Sequence, residues 1–192
     1  MENIKILKNT PSNVLDAFND LYNSKFKRKR PQDRWSDCHA ASTIEYEDVK
    51  LLSQLFPLPP HCIELYFVTG MIPPHVDRGR KTALQIPIQV DINNSFTYSV
   101  RGTDLTKLSP ARTDFPARNS VSKDVDIVNN PTHWFYKWDE SLFDKYNLEF
   151  PILQNVSLPH GGANYSRDYR IFFSVSYKID YNEVCSKFSS WI

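Results

Sequence analysis

Leu84, Ile86, Ile88 and Val90 fall on every second position of the segment 82–90. Side chains alternate across a strand, so this spacing gives one apolar face and predicts a half-buried β-strand rather than a helix. The pattern recurs along the chain. Cys62–Val68 is rich in β-branched and aromatic residues, 95–100 follows the Asn93-Asn94 turn, and 125–128 and 133–138 flank Asn129-Asn130-Pro131. Segments 151–158 and 169–177 complete the series. Many short strands at close spacing point to a β-sandwich or jelly-roll barrel. Pro87 inside its strand marks an edge position or a bulge.

The first sixty residues read differently. Val14, Leu15, Phe18 and Leu21 follow Pro11-Ser12 at helical spacing. A second helix is predicted over 46–56, burying Val49, Leu52 and Leu55 or Phe56, before Pro57, Pro59 and Pro60 end the helical region. The expected organisation is one mainly β domain: a helical N-terminal cap over 1–60, a β core over 61–180 and a C-terminal tail over 181–192. The basic run Lys25-Phe26-Lys27-Arg28-Lys29-Arg30 is expected to be a solvated loop. The segment 105–122, polar and proline-bearing, is expected to be a long loop, a lid or a peptide-binding edge.

A chain of 192 residues suffices for one sizeable core, and its formal net charge of +1 favours neither nucleic acid nor an acidic membrane surface. No run of about 18 apolar residues offers a membrane span, and the N-terminus lacks a signal-peptide pattern. Three widely spaced cysteines, Cys38, Cys62 and Cys185, make neither a zinc pattern nor a disulfide framework. A reducing, cytoplasmic setting is expected. The sequence leaves the oligomeric state open.

Pro74-His75-Val76-Asp77 places an imidazole and a carboxylate two residues apart, on the same face of extended backbone. A second imidazole, His160, precedes Gly161-Gly162, which permit close backbone approach, and Arg170 follows ten residues later. Two imidazoles and one carboxylate can hold one face of an octahedral Fe(II) and leave its other positions open. A fork-shaped guanidinium beside them is a receptor for a carboxylate. On its strand Arg170 shares a face with Phe172, Ser174 and Ser176, whereas Ile171, Phe173, Val175 and Tyr177 form the other.

These residues resemble the 2-oxoglutarate/Fe(II)-dependent dioxygenase superfamily over roughly 65–177: H-x-D at His75 and Asp77, a distal histidine at His160 in Leu158-Pro159-His160-Gly161-Gly162, and an arginine at Arg170. The step from His160 to Arg170 is similar to that of the aspartyl/asparaginyl β-hydroxylase and proline hydroxylase branches. The resemblance implies a double-stranded β-helix, cupin-like, with helices packed on its outside. It implies Fe(II) bound by His75, Asp77 and His160, 2-oxoglutarate held by Arg170, and dioxygen as the remaining reactant. The implied reaction hydroxylates an unactivated C–H bond of an amino acid or a protein side chain while 2-oxoglutarate is decarboxylated to succinate. Many members carry a serine or threonine two residues after the cosubstrate arginine; Phe172 stands there, and Ser174 comes two later.

Gln85 lies on the opposite face of its strand from Leu84 and Ile86, and with Ser174 is a candidate for the cosubstrate pocket. Arg80 and Asn164 are candidates for substrate contact, against a solvent-facing arginine and a plain turn asparagine. Tyr66 and Tyr98 read as packing residues before cosubstrate contacts. Trp134, Tyr136 and Trp138 share a strand face that reads as core, and His39, His61 and His133 as structural. Three other readings stay open: an iron enzyme on the same barrel that needs no 2-oxoglutarate, a jelly-roll binding protein without catalysis, and nucleic-acid dealkylation, for which the basic run from Lys25 to Arg30 is the sole motive.

Overall fold

The computed structural model describes residues 3–28, 33–36, 39–77, 79–101, 107–108, 133–136 and 139–192. Thirteen strands and three α-helices follow in order: β1 (Ile4–Ile6), α1 (Ser12–Leu21), β2 (Asp33–Ser36), β3 (His39–Thr43), α2 (Tyr46–Ser53), β4 (Cys62–Val68), β5 (Gly70–Asp77), β6 (Thr82–Gln89), β7 (Ser95–Val100), β8 (Lys107–Leu108), β9 (His133–Tyr136), β10 (Phe143–Tyr146), β11 (Ile152–Asn155), β12 (His160–Asn164), β13 (Arg170–Tyr177) and α3 (Tyr181–Lys187). They form two antiparallel sheets, seven strands in the order β1-β11-β6-β13-β4-β3-β2 and six in the order β10-β7-β12-β5-β9-β8. This is a double-stranded β-helix, and its strand alternation sorts side chains to two very different surroundings.

The outward face of the seven-stranded sheet is apolar because helices cover it. Leu84 and Ile86 of β6, Ile63, Leu65 and Phe67 of β4, and Ile171, Phe173 and Val175 of β13 meet Val14, Phe18 and Leu21 of α1 and Val184 of α3 in one buried cluster. Phe18 sits at its centre, edge-on to Phe173 with ring centroids 4.8 Å apart. Burying side chains of this size contributes about 2 kcal/mol each, so the helices are fixed by packing rather than by propensity. The inward face carries Tyr66, Val68 and Phe172, but also Gln85, Gln154, Ser174 and Ser176, all buried. A polar inner face in a packed barrel marks the interior as a site.

Several details depart from the expectations. The first sixty residues hold three strands, β1, β2 and β3, that extend the large sheet, and α3 lies within the C-terminal twelve residues. The basic run begins in a π-helical turn, Tyr22–Phe26, with Phe26 buried and Lys25 paired to Asp48 at 2.6 Å and Glu45 at 3.1 Å. Phe26 lies among charged neighbours because the π-turn points it inward. Of the two placements expected for Pro87, the edge is not found, since its strand lies between β11 and β13, and the bulge is, as a register shift opposite Ile171/Phe172. Lys107–Leu108, expected to be loop, pairs with β9. Segment 125–128, most of 105–122, and the side chains of Trp134, Tyr136 and Trp138 lie outside the described residues. Cys62 and Cys185, the cysteines among the described residues, are not joined in a disulfide. No helix among the described residues is long and apolar enough to cross a membrane.

Candidate metal and carboxylate site

Strand register assembles the two histidines. β12 pairs with β5 so that His160 lies directly opposite His75, and residues facing one another across a ladder point to the same side. Asp77, two residues beyond His75, shares that side. The three donor groups lie within 4.8 Å of one another and all three residues are buried. His75 Nε2 is 3.5 Å from Asp77 Oδ1, and His160 Nε2 is 3.9 Å from Asp77 Oδ2.

Both imidazoles are oriented by the same device. Nδ1 of His75 contacts the carbonyl oxygen of Pro73 at 2.8 Å, and Nδ1 of His160 that of Leu158 at 2.9 Å. A carbonyl only accepts, so each Nδ1 carries the proton and each Nε2 presents its lone pair to the others. Two neutral imidazole nitrogens and one carboxylate oxygen, buried and convergent, suit a divalent transition metal of the Fe(II) type.

Asp77 is braced from behind. Arg80 Nε donates to Asp77 Oδ2, while Arg80 Nη1 donates to Ser174 Oγ at 2.6 Å and Ser176 Oγ at 3.0 Å. Burial alone would lower the Arg80 pKa; the Asp77 carboxylate outweighs it and holds the guanidinium charged. The Arg80 guanidinium carbon sits 5.8 Å from the centroid of the Tyr66 ring, which stacks on Phe172 at 5.5 Å. Burial drives the Tyr66 phenol well above its usual pKa, and its hydroxyl donates to Glu64 at 2.9 Å.

Arg170 lies farther along β13, 2% exposed. It reaches across the barrel: Nη1 donates to the Phe96 carbonyl oxygen at 2.6 Å, and Nη2 to Gln85 Oε1 at 3.1 Å and to Thr97 Oγ1. Gln85 is held in turn, donating to Gln154 Oε1 at 2.8 Å, and Gln154 donates to the Tyr98 carbonyl oxygen at 3.0 Å. Among the described residues no carboxylate pairs with Arg170, and its Nε is buried without a hydrogen-bond partner. Burial pulls its pKa down to about 9. A buried cation met only by neutral dipoles is electrostatically incomplete, and an anion would complete it.

One cavity of about 440 Å³, its open mouth included, joins the two ends: His75 and His160 line it together with Arg170, Gln85, Thr97 and Gln154. Ser174 and Arg80 are also on its wall, as is Tyr66. Asn164 is not. Its amide donates to the Val68 and Asp168 carbonyl oxygens at 2.8 and 2.7 Å, and its Oδ1 accepts from the Ser166 hydroxyl at 2.8 Å, so it braces the turn before β13. Tyr98 points away from the cavity, stacked on Phe143 at 3.9 Å. Thr97 and Gln154 were not among the sequence candidates. The only cue for them is alternation: Thr97 lies between Phe96 and Tyr98, and Gln154 next to the apolar Leu153.

The buried His–Asp–His group on a double-stranded β-helix could hold a metal ion, and the fold is that of a solved structure. The chain is similar to the non-haem α-ketoglutarate-dependent epimerase SnoN from nogalamycin biosynthesis, at 9% identity and a TM-score of 0.50 over 90% of this chain and 77% of that one. It is also similar to HygX from Streptomyces hygroscopicus, solved with nickel, 2-oxoglutarate and hygromycin B, at 12% identity and a TM-score of 0.49 over 90% and 81%. A Pseudomonas putida prolyl-4-hydroxylase aligns at 7% identity and a TM-score of 0.46 over 92% and 94%. At 9% identity the likeness to SnoN shows the fold alone. No protein-family model and no curated protein matches the sequence.

Proposed function

We propose that this chain is an Fe(II)- and 2-oxoglutarate-dependent dioxygenase that hydroxylates an unactivated C–H bond of an amino acid or a protein side chain, with dioxygen as oxidant and succinate as coproduct. His75, Asp77 and His160 hold the metal, which with 2-oxoglutarate and dioxygen supplies the oxidising power. The chain's own contribution is position. Arg170 receives the distal carboxylate of the 2-oxo acid, with Thr97 and Gln85 fixing the guanidinium plane, so that the keto-acid end is directed towards the histidines. The buried walls keep bulk water from the reacting centre.

The observation that carries this reading is Arg170. A metal barrel without a 2-oxo acid has no use for a fully buried guanidinium whose partners among the described residues are all neutral, in the cavity shared with the His–Asp–His group. The test is anaerobic titration of the Fe(II)-loaded protein with 2-oxoglutarate, reading the visible metal-to-ligand charge-transfer band. The band is expected in the wild type and weakened in Arg170→Ala. Iron bound without any band overturns the cosubstrate and favours an iron enzyme independent of 2-oxoglutarate; no iron bound favours a binding protein. Succinate release measured against a panel of amino acids and peptides then identifies the substrate.

A further inference from the structure

Arg80 fits neither of its expected roles. It is neither a free anion receptor nor a solvated side chain, because its Nε is committed to Oδ2 of Asp77 and its Nη1 to two hydroxyls of β13. Asp77 therefore has two inequivalent oxygens. Oδ2 is engaged by a guanidinium whose own position is fixed at a second point, and Oδ1 is the oxygen nearer His75. The anchoring is specific. Ser174 and Ser176 are alternate residues on one face of β13, the spacing that lets a single nitrogen reach both. Asp77 and Arg80 are three residues apart, and among the described residues beyond its chain neighbours nothing lies within 4 Å of where a Cβ at Gly79 would stand.

Resting on the iron reading above, we propose that Arg80 is a positioning residue that keeps Asp77 a one-oxygen ligand. A carboxylate can bind a metal through one oxygen or two. With two imidazoles and one carboxylate oxygen, an octahedral ion retains three positions, two for a chelating 2-oxo acid and one for dioxygen. If Oδ2 also bound, one of those positions would be lost and the 2-oxo acid would compete with Asp77. Arg80 occupies Oδ2 and so reserves the position. The serines of β13 are part of the device: the hydroxyl four residues after Arg170 serves the metal ligand's brace, and Thr97 from the opposite sheet is the hydroxyl that meets Arg170.

The test uses the protein loaded with Co(II), whose visible spectrum reports coordination number, titrated anaerobically with 2-oxoglutarate. Wild type, Arg80→Gln, Arg80→Lys and the double variant Ser174→Ala/Ser176→Ala are compared. Arg80→Gln is expected to retain Co(II), to show an altered spectrum before 2-oxoglutarate is added, and to bind 2-oxoglutarate about ten-fold or more weakly, the order of effect that losing a partner behind a metal ligand has on metal affinity or activity. Arg80→Lys restores a cation but not the fork, so it is expected to recover part of the loss. The double serine variant, which leaves both Arg80 and Asp77 in place, is expected to lie between wild type and Arg80→Gln. An Arg80→Gln protein with wild-type spectrum and affinity overturns the proposal, and so does one that loses Co(II) outright, since Arg80 would then be needed for the metal and not for its open positions. A wild type that binds no Co(II) defeats the iron reading itself, and the proposal with it.

Discussion

Gly162 lies against the guanidinium of Arg170: a Cβ at Gly162 would come 2.9 Å from Arg170 Nη1 and 3.3 Å from the Phe96 carbonyl oxygen to which that nitrogen donates. The neighbouring glycine answers to a different constraint. At Gly161 a Cβ would meet the Tyr98 hydroxyl at 2.3 Å and the Ile72 carbonyl oxygen at 2.7 Å. The two glycines after His160 thus make room on opposite faces of β12, one for the cavity's cation and one for the outer packing.

Gly162→Ala is therefore expected to act on ligand affinity. A methyl group at this position pushes Arg170 from its hydrogen bonds, and 2-oxoglutarate affinity should fall about ten-fold, equivalent to about 1.4 kcal/mol. Metal content should be unchanged. Calorimetric titration with 2-oxoglutarate, alongside metal analysis, checks both.

Gly161→Ala is expected to act on stability instead, by about 1–3 kcal/mol, the usual range for forcing an extra carbon into a packed site. Tyr98→Phe in the same chain should not restore it, because the ring carbon at 2.5 Å and the Ile72 carbonyl oxygen remain in the way. Denaturant midpoints of the single and double variants provide the measurement.

His160→Asn and Asp77→Ala should both abolish metal binding, yet differ in stability. Asparagine can still donate to the Leu158 carbonyl oxygen that Nδ1 of His160 contacts at 2.9 Å, so that variant should fold nearly as well as the wild type. Removing the Asp77 carboxylate leaves Arg80 buried without its counter-charge, expected to cost about 3–5 kcal/mol. Metal analysis and thermal unfolding of the two variants separate the effects.

The pH response of cosubstrate binding follows from Arg170. Burial lowers its pKa to about 9 in the ligand-free fold. Above about 9, up to the ordinary guanidinium range, the unfolded chain keeps a proton that the folded one has shed, so ligand-free stability rises with pH across that window. Below about 9 both states hold the proton, and the buried charge is a constant cost that a bound carboxylate offsets. The rise in melting temperature given by 2-oxoglutarate should accordingly hold from pH 7 to about 9 and shrink above it. Melting curves with and without ligand across pH 7–10 test this.

Much of this architecture is legible in the sequence. Cys62–Val68 and Ser95–Val100 are strands over their expected bounds, α1 lies where the apolar spacing of Val14, Phe18 and Leu21 puts it, and the two faces of β13 are sorted as alternation requires. The grouping of His75, Asp77 and His160 also follows from their residue types. What the sequence hides is the identity of the interior polar residues. Thr97, between Phe96 and Tyr98, and Gln154, after Leu153, look like solvent-facing positions, because the usual rule places polar side chains outward. Here the rule is inverted: helices cover the outer face of the large sheet and the inner face surrounds a polar cavity. The partners that reveal Thr97 and Gln154 lie far off in the chain, Arg170 for the first and Gln85 for the second. The strands β1, β2 and β3 escape notice for a different reason. Each is short, and β1 and β3 join the sheet through β11 and β4 while β2 pairs with its chain neighbour β3, so local periodicity has too few residues to declare any of them.

The direct opposition of His75 and His160 has a further consequence. Shifting β12 by one residue against β5 would turn His160 to the outer surface and split the donor set. On the proposed reading, a divalent ion that needs both imidazoles would bind only the correctly paired strands and so would act as a proofreader of the barrel's assembly. Metal uptake during refolding would then be a clock for the moment at which segments 85 residues apart find their proper alignment.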